Sequence, residues 1–183
     1  LFCLRRQGKV VFNRAIGHAR GNGPGDEADT PKLRATVRTP SCIFSASKGI
    51  SAMVMHRMEE QGQLNLLNPI SHYIPEFAKL VVYVGENPDV TPKTEPARRS
   101  MTMRELMTHT AGLGYASVRW DASSWDEMIA SICATALPDG WVPGQRAAYN
   151  MASAWFILGE IVRRISGQPL ERYVRQRIFE PLG

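Results

Sequence analysis

Strand-type patterning in this chain is crowded into its first residues, and the remainder reads as helix and loop. Residues 1–5 and 10–19 are apolar and partly β-branched, and the turn Arg6-Gln7-Gly8-Lys9 joins them. A two-stranded hairpin is not stable alone in water. Its partner strands must therefore come from outside this inventory. Residues 20–40 are rich in Gly, Pro, Asp and Thr, and residues 84–100 in Pro and Thr, so both read as loops. No internal repeat or low-complexity segment is visible.

The helical pattern begins at residue 45. Residues 45–61 carry Ile50, Met53, Val54 and Met58 as an apolar stripe, with Gly62 as a stop. A short helix over 102–108 starts at Thr102 with Glu105 three residues on, which predicts a capping box. Ser124 and Glu127 stand in the same relation at the head of a helix over 124–136. Residues 152–165 form an apolar helix stopped at Gly167, and 169–179 a last amphipathic one. The chain ends at Glu180-Pro181-Leu182-Gly183, which reads as a connector. The expectation is a fragment of a longer protein, or one piece of a cleaved or assembled one.

At the head of the first helix lies Phe44-Ser45-Ala46-Ser47-Lys48-Gly49-Ile50. Positions i and i+3 share a helix face, so the Ser45 hydroxyl and the Lys48 amine can meet. A lysine that sheds its proton in a closed pocket can take that of a serine and make it a nucleophile. This is the start of Ser-x-x-Lys acyl-transfer chemistry. Read alone, the four residues also fit a helix start, with Ser45 or Ser47 as cap and Lys48 solvated.

Other chemistries find less support. The apolar share of 44% suits a globular core, and no run of 18 apolar residues predicts a membrane span. The net charge of +5 is spread out. Its densest group, Arg163, Arg164, Arg172, Arg175 and Arg177, falls on amphipathic helices, so a solvated face is expected and not a nucleic-acid surface. Cys3, Cys42 and Cys133 have no metal spacing and read as buried free thiols, which favours a reducing, cytoplasmic compartment; a periplasmic or secreted location stays open. Neither His-Glu-x-x-His nor Gly-x-Ser-x-Gly occurs, so neither a zinc peptidase nor an α/β-hydrolase elbow is indicated. No metal or other cofactor is expected.

Four segments, in order, carry a family resemblance. They are "FSASKGI", "GQLNLLNPISHYIPEF", "MTMRELMTHTAGL" and "PGQRAAYNMASAWFILGEIVRRISGQPLERYV". With them the chain resembles the serine β-lactamase and penicillin-binding-protein family, in the class C-like branch that includes D-Ala-D-Ala carboxypeptidases and family VIII carboxylesterases. The resemblance implies an α/β fold, an α+β sandwich of the β-lactamase/transpeptidase-like type with an all-helical insertion. This chain would be an incomplete N-terminal part of it. Residues 1–64 would belong to the α/β domain with the nucleophile helix, 65–160 mainly to the helical subdomain, and 161–183 to a return helix toward the sheet.

The resemblance also implies roles. Ser45 would be the nucleophile, Lys48 its proton partner, and Tyr149 the second member of the base system. The Ser45 backbone N–H would give half of an oxyanion hole. The partial positive charge of a helix N-terminus favours a developing alkoxide there. His109, in Thr108-His109-Thr110-Ala111-Gly112, would fix its loop by hydrogen bonds. Tyr115, just after that loop, is a candidate for the substrate entrance.

Two departures stand out. The family's Tyr-x-Asn is here Tyr149-Asn150-Met151, with the amide one place early, so Asn150 is a substrate-binding candidate only after a backbone shift. The third motif of the family (Lys-Thr-Gly or a His/Trp-x-Gly variant) does not occur in the sequence at its expected place. A missing C-terminal segment or a second chain would have to complete the sheet and the site.

The function implied is hydrolysis through an acyl-enzyme on Ser45, on small esters first, with β-lactams or D-amino-acid peptides as further substrates. Two other readings remain. One is a catalytically silent penicillin-binding-like protein that binds or scaffolds. The other is an acyltransferase using the same residues.

Overall fold

The N-terminal hairpin forms where the patterning asks for it. In the computed structural model, β1 (Phe2–Arg6) pairs antiparallel with β2 (Lys9–Arg14), matching Leu4 with Phe12 and Arg6 with Lys9. Gln7 and Gly8 link them at φ of 50° and 78°, the left-handed pair a two-residue hairpin turn requires. β2 stops at Arg14 and does not run on to residue 19. After Gly17, a short β3 (His18–Arg20) pairs with β4 (Leu33–Arg34) inside the segment read as loop. The structure describes residues 1–114 and 118–183, and they divide into two units, Leu1–Phe44 and Ser45–Gly183.

The larger unit is built on α1 (Ser47–Glu60) and α4 (Ser153–Ser166). α1 buries Val54, Met55 and Met58; Met53, expected in the stripe, points outward at 51% exposure, and Met55 takes its place. α4 supplies Ile157, Leu158, Ile161 and Val162, all fully buried. α2 (Met103–Met107) adds Met103 and Leu106, and α3 (Trp125–Cys133) adds Ile129 and Ile132. Ile70, Ile74, Phe77 and Leu137 close the core from the connecting turns. Burying one such side chain is worth about 1.5–3 kcal/mol, which outweighs the weak propensity of these short helices.

The helix ends follow local chemistry. Thr102 caps α2 with the full capping box: its hydroxyl accepts from the Glu105 N–H, and the Glu105 carboxylate accepts from the Thr102 N–H at 2.8 Å. Ser124 caps α3 by accepting from the Glu127 N–H, but the Glu127 carboxylate turns to Ser123 and Arg119 instead. α4 ends at Gly167 with φ 71°. The last helix is α5 (Leu170–Val174), widened into a π turn over Arg175–Phe179 and closed by α6 (Glu180–Leu182).

One expectation fails plainly. Residues 84–100 are not all loop: β5 (Val81–Glu86) and β6 (Pro92–Pro96) make a second hairpin in the helical half of the sequence. The Val81-Val82-Tyr83-Val84 run has the β-branched and aromatic content of a strand. Asn87 turns the chain by accepting from Val90 N–H and donating its own N–H to Thr91 O, each at 2.9 Å. A parallel bridge from Val82 to Leu137 ties this hairpin into the core. Among the cysteines, Cys3 and Cys42 are exposed and Cys133 is half-buried, against the expectation of three buried thiols. Burial raises the Cys133 thiol to about 11.

Candidate active site

Ser45 lies in a 3-10 turn (Phe44–Ala46) that runs straight into α1. Side chains three apart eclipse in such a turn. Lys48 Nζ accordingly donates to Ser45 Oγ at 3.1 Å. The cap position of α1 is Ala46, which makes no side-chain cap bond. Reading Ser45 as a helix cap thus has no support from the hydrogen bonds it makes. The hydroxyl instead receives a second bond from Tyr149 Oη at 2.6 Å.

Three residues separated by up to 104 positions in sequence therefore meet at one oxygen. Ser45 is exposed, Lys48 half-buried and Tyr149 61% exposed, so the cluster faces open space. The hydrogen bond with Ser45, then that with Lys48, holds the Tyr149 phenol below its ordinary value. The Lys48 ammonium also sits over two aromatic faces, 5.2 Å from the Tyr149 ring centre and 5.5 Å from that of Trp155. The sequence offers Trp155 as a core or pocket-rim residue and no more, because its cover of the lysine depends on how α4 meets the loop before it.

Tyr149 has no helix to hold it. The loop that carries it is pinned to the segment after α2. The Thr110 and Ala111 N–H groups bond to Glu105 O, the Gly144 N–H to Thr110 O, and the Ala148 N–H to His109 O, all between 2.9 and 3.1 Å. Glu105 is buried and ion-paired with Arg99, whose guanidinium also donates to Pro143 O at 2.6 Å. His109, at φ 59°, accepts the Asn150 N–H on Nδ1 at 3.0 Å and packs its ring on that of Tyr149, centres 4.7 Å apart. A ring nitrogen that accepts from an N–H is unprotonated, so this imidazole is neutral. Burial, then the nearby Lys48 charge, holds His109 below its ordinary value. The expected loop-fixing bonds of His109 are present.

Asn150, expected to reach a substrate only after a backbone shift, turns its side chain into the protein. Its side chain is buried, donating to Leu113 O at 2.6 Å and Ser153 Oγ at 2.7 Å and accepting from the Ala154 N–H at 3.0 Å. Both amide hydrogens are thus engaged within the protein, at the entry to α4. Met151 is the exposed neighbour, at 55%. Tyr115 lies outside the described residues.

Beside α1 an apolar groove of about 470 Å³ runs along Ile50, Trp155, Phe156, Leu170, Val174 and Phe179. Among the described residues no cluster of three or more His, Cys, Asp or Glu side chains is placed to hold a metal ion, and no helix is long and apolar enough to cross a membrane.

The chain is 27% identical over 97% of its length to a lovastatin esterase of Penicillium rubens, and 28% identical over 98% to the esterase EstB of Burkholderia gladioli. It spans 45% and 44% of those two proteins, less than half of either. Among solved structures, a mutant simvastatin synthase from Aspergillus terreus superimposes with a TM-score of 0.66 at 26% identity, over 91% of this chain and 40% of that one. A family VIII carboxylesterase shares the fold at a TM-score of 0.61 and 23% identity, over 76% of this chain and 34% of its own. The family model described as Beta-lactamase matches residues 1–183, from one end to the other, and the chain belongs to that family.

Proposed function

We propose that this chain carries the nucleophile and base of a serine hydrolase that forms an acyl-enzyme on Ser45, with small esters as its main substrates. The observation behind this reading is the pair of hydrogen bonds that Ser45 Oγ receives, from Lys48 Nζ at 3.1 Å and Tyr149 Oη at 2.6 Å.

In the reaction proposed, Tyr149 first loses its phenol proton to solvent, and the phenolate, stabilised by the Lys48 ammonium, then takes the Ser45 proton as Oγ attacks the ester carbonyl carbon. The Ser45 N–H at the head of α1 donates to the oxygen that becomes negative. As the tetrahedral adduct collapses, Tyr149 returns its proton to the departing alkoxide, which leaves as the alcohol. A water then attacks the acyl-Ser45 ester and gives its proton to Tyr149. As this second adduct collapses, Tyr149 passes that proton to Ser45 Oγ, which releases the acid and restores both the serine and the phenolate.

Esters rank ahead of β-lactams for a reason on the loop. Asn150 keeps its amide inside the protein, and the Met151 thioether cannot do an amide's hydrogen bonding to a substrate. Relatives named as esterases point the same way. Transfer of the acyl group to an alcohol in place of water uses the same steps, and two relatives are named monacolin J acid methylbutanoyltransferase.

The test is hydrolysis of p-nitrophenyl acetate and butyrate by the full-length protein, beside Ser45→Ala and with a fluorophosphonate adduct mapped by mass spectrometry. Turnover lost in the variant and an adduct on Ser45 support the reading. Unchanged turnover in Ser45→Ala refutes it. An alcohol acceptor added to the same assay separates hydrolysis from transfer by its ester product.

A further inference from the structure

His109 touches the site without touching Ser45. It accepts from the N–H groups on both sides of Tyr149: Ala148 N–H bonds to its carbonyl oxygen at 2.9 Å, and Asn150 N–H to its Nδ1 at 3.0 Å. Its ring lies against the Tyr149 ring, centres 4.7 Å apart, and 5.9 Å from the Trp155 ring. The backbone that carries the phenol is thus held by one residue through two bonds, and the phenol itself leans on the same ring. Tyr149 is otherwise largely exposed, and beyond this ring its phenol meets Ser45 Oγ and the Lys48 ammonium.

We propose that His109 is a positioning residue that, as a neutral acceptor, holds the Tyr149 phenol against Ser45. The proposal rests on the acyl-enzyme reading above for its effect on activity, but its geometry does not depend on that reading.

The acceptor role makes the clamp sensitive to acid. Protonating Nδ1 turns it into a donor facing the Asn150 N–H, and two donors repel. Tyr149 of the loop before α4 and Trp155 of α4 lie against the ring, Asn150 bonds to it, and the Lys48 charge of α1 acts on it. Lys48 is the charge among them that acts on His109, and it opposes a second positive charge there. The imidazole therefore stays neutral until the pH falls below the ordinary histidine value, and below that the clamp opens.

Two substitutions separate positioning from bulk. His109→Asn supplies an amide oxygen near the Nδ1 position, tolerates the left-handed φ of 59°, and does not titrate. His109→Ala supplies no acceptor. The reaction of full-length protein with a fluorophosphonate at Ser45 is followed across pH, and the Tyr149 phenol is titrated by NMR with labelled tyrosine.

His109→Ala is expected to slow labelling by about 10²-fold, the cost of misplacing a catalytic group by about 1 Å. His109→Asn is expected to recover at least tenfold of that loss and to lack the acid limb of the parent. The Tyr149 phenol should return toward its ordinary value in His109→Ala and stay low in His109→Asn. Equal losses in both variants, or an unaltered acid limb in His109→Asn, overturn the proposal. If His109→Ala does not fold, the His109→Asn pH profile decides. If Ser45 does not label at all, the acyl-enzyme reading has failed, and the Tyr149 titration alone still judges the clamp.

Discussion

Tyr149 Oη lies 2.6 Å from Ser45 Oγ across 104 residues of sequence, and Lys48 Nζ shares the same oxygen at 3.1 Å. The two donors differ in how they are held. Lys48 is fixed by α1, which continues the turn that carries Ser45, whereas Tyr149 sits on a loop that His109 and Asn150 help to anchor.

Tyr149→Phe removes the hydroxyl and leaves the ring on which Lys48 and His109 pack. Labelling of Ser45 by a fluorophosphonate should fall by about 10²–10⁴-fold, the usual worth of a positioned acid-base group. Thermal unfolding should hardly change, because the hydroxyl is exposed. A rate within a few-fold of the parent would assign the base to Lys48 alone.

The alkaline side carries its own signature. The Ser45 and Lys48 hydrogen bonds depress the Tyr149 phenol below 10. A depressed value means that the phenolate, the form that can take a proton, is present at lower pH than for a free tyrosine. The labelling rate should rise with pH through a transition below 10, and Tyr149→Phe should lose that rise. A transition retained in the variant would belong to another group.

How much of this was readable beforehand depends on how local the chemistry is. Ser45 and Lys48 are three apart on a helix start, so their contact follows from the spacing alone. The capping box at Thr102 and Glu105 is local in the same sense. Tyr149 came only through the resemblance, because nothing in its own neighbourhood points 104 residues back. The cover that Trp155 gives Lys48, and the burial of Asn150, depend on how α4 meets the loop before it, which no periodicity encodes. β5 and β6 were hidden by Pro92, Lys93, Glu95 and Pro96, which read as loop but suit a solvent-facing edge strand.

Asn150→Ala should destabilise the protein more than it alters substrate handling. It leaves Leu113 O, Ser153 Oγ and the Ala154 N–H short of a buried partner. Each such loss costs about 1–3 kcal/mol. The unfolding midpoint should drop clearly, with kcat falling as the Tyr149 loop loosens and KM changing less. A raised KM at unchanged stability would return Asn150 to the role of a substrate contact.

Glu160 offers a test of the core with a pH dependence. It is fully buried on α4 and accepts from Arg163 Nε and Arg164 Nε, each at 2.7 Å, and from Trp125 Nε1 at 2.7 Å. Burial alone would raise its carboxyl, but the Arg163, Arg164 and Trp125 hydrogen bonds override that and hold it below the ordinary value. A carboxyl depressed in the folded state stabilises the fold above its unfolded value near 4.5, and that stability is lost as pH falls through the folded value. Glu160→Gln should therefore cost about 1–3 kcal/mol near neutral pH, discounted by the partial exposure of both arginines. The gap between variant and parent should narrow in denaturant titrations below pH 4.5. A gap that stays constant with pH would mean that shape, and not charge, is what Glu160 contributes.

Gly112→Ala probes the same loop three residues beyond His109. Gly112 has φ 88°, and a methyl group there would sit inside the Trp141 indole. The left-handed backbone alone costs a non-glycine residue about 1–2 kcal/mol. Trp141 would also have to leave the Thr110 carbonyl, which its Nε1 reaches at 3.4 Å, and the Arg146 guanidinium stacked 4.8 Å from its ring. Thr110 O holds Gly144 N–H as well, so the displacement would reach the Tyr149 loop. The expected result is a lower unfolding midpoint together with a changed tryptophan emission. An alanine variant with parental stability and emission would show that this loop repacks freely, and would weaken the case that its geometry aims Tyr149.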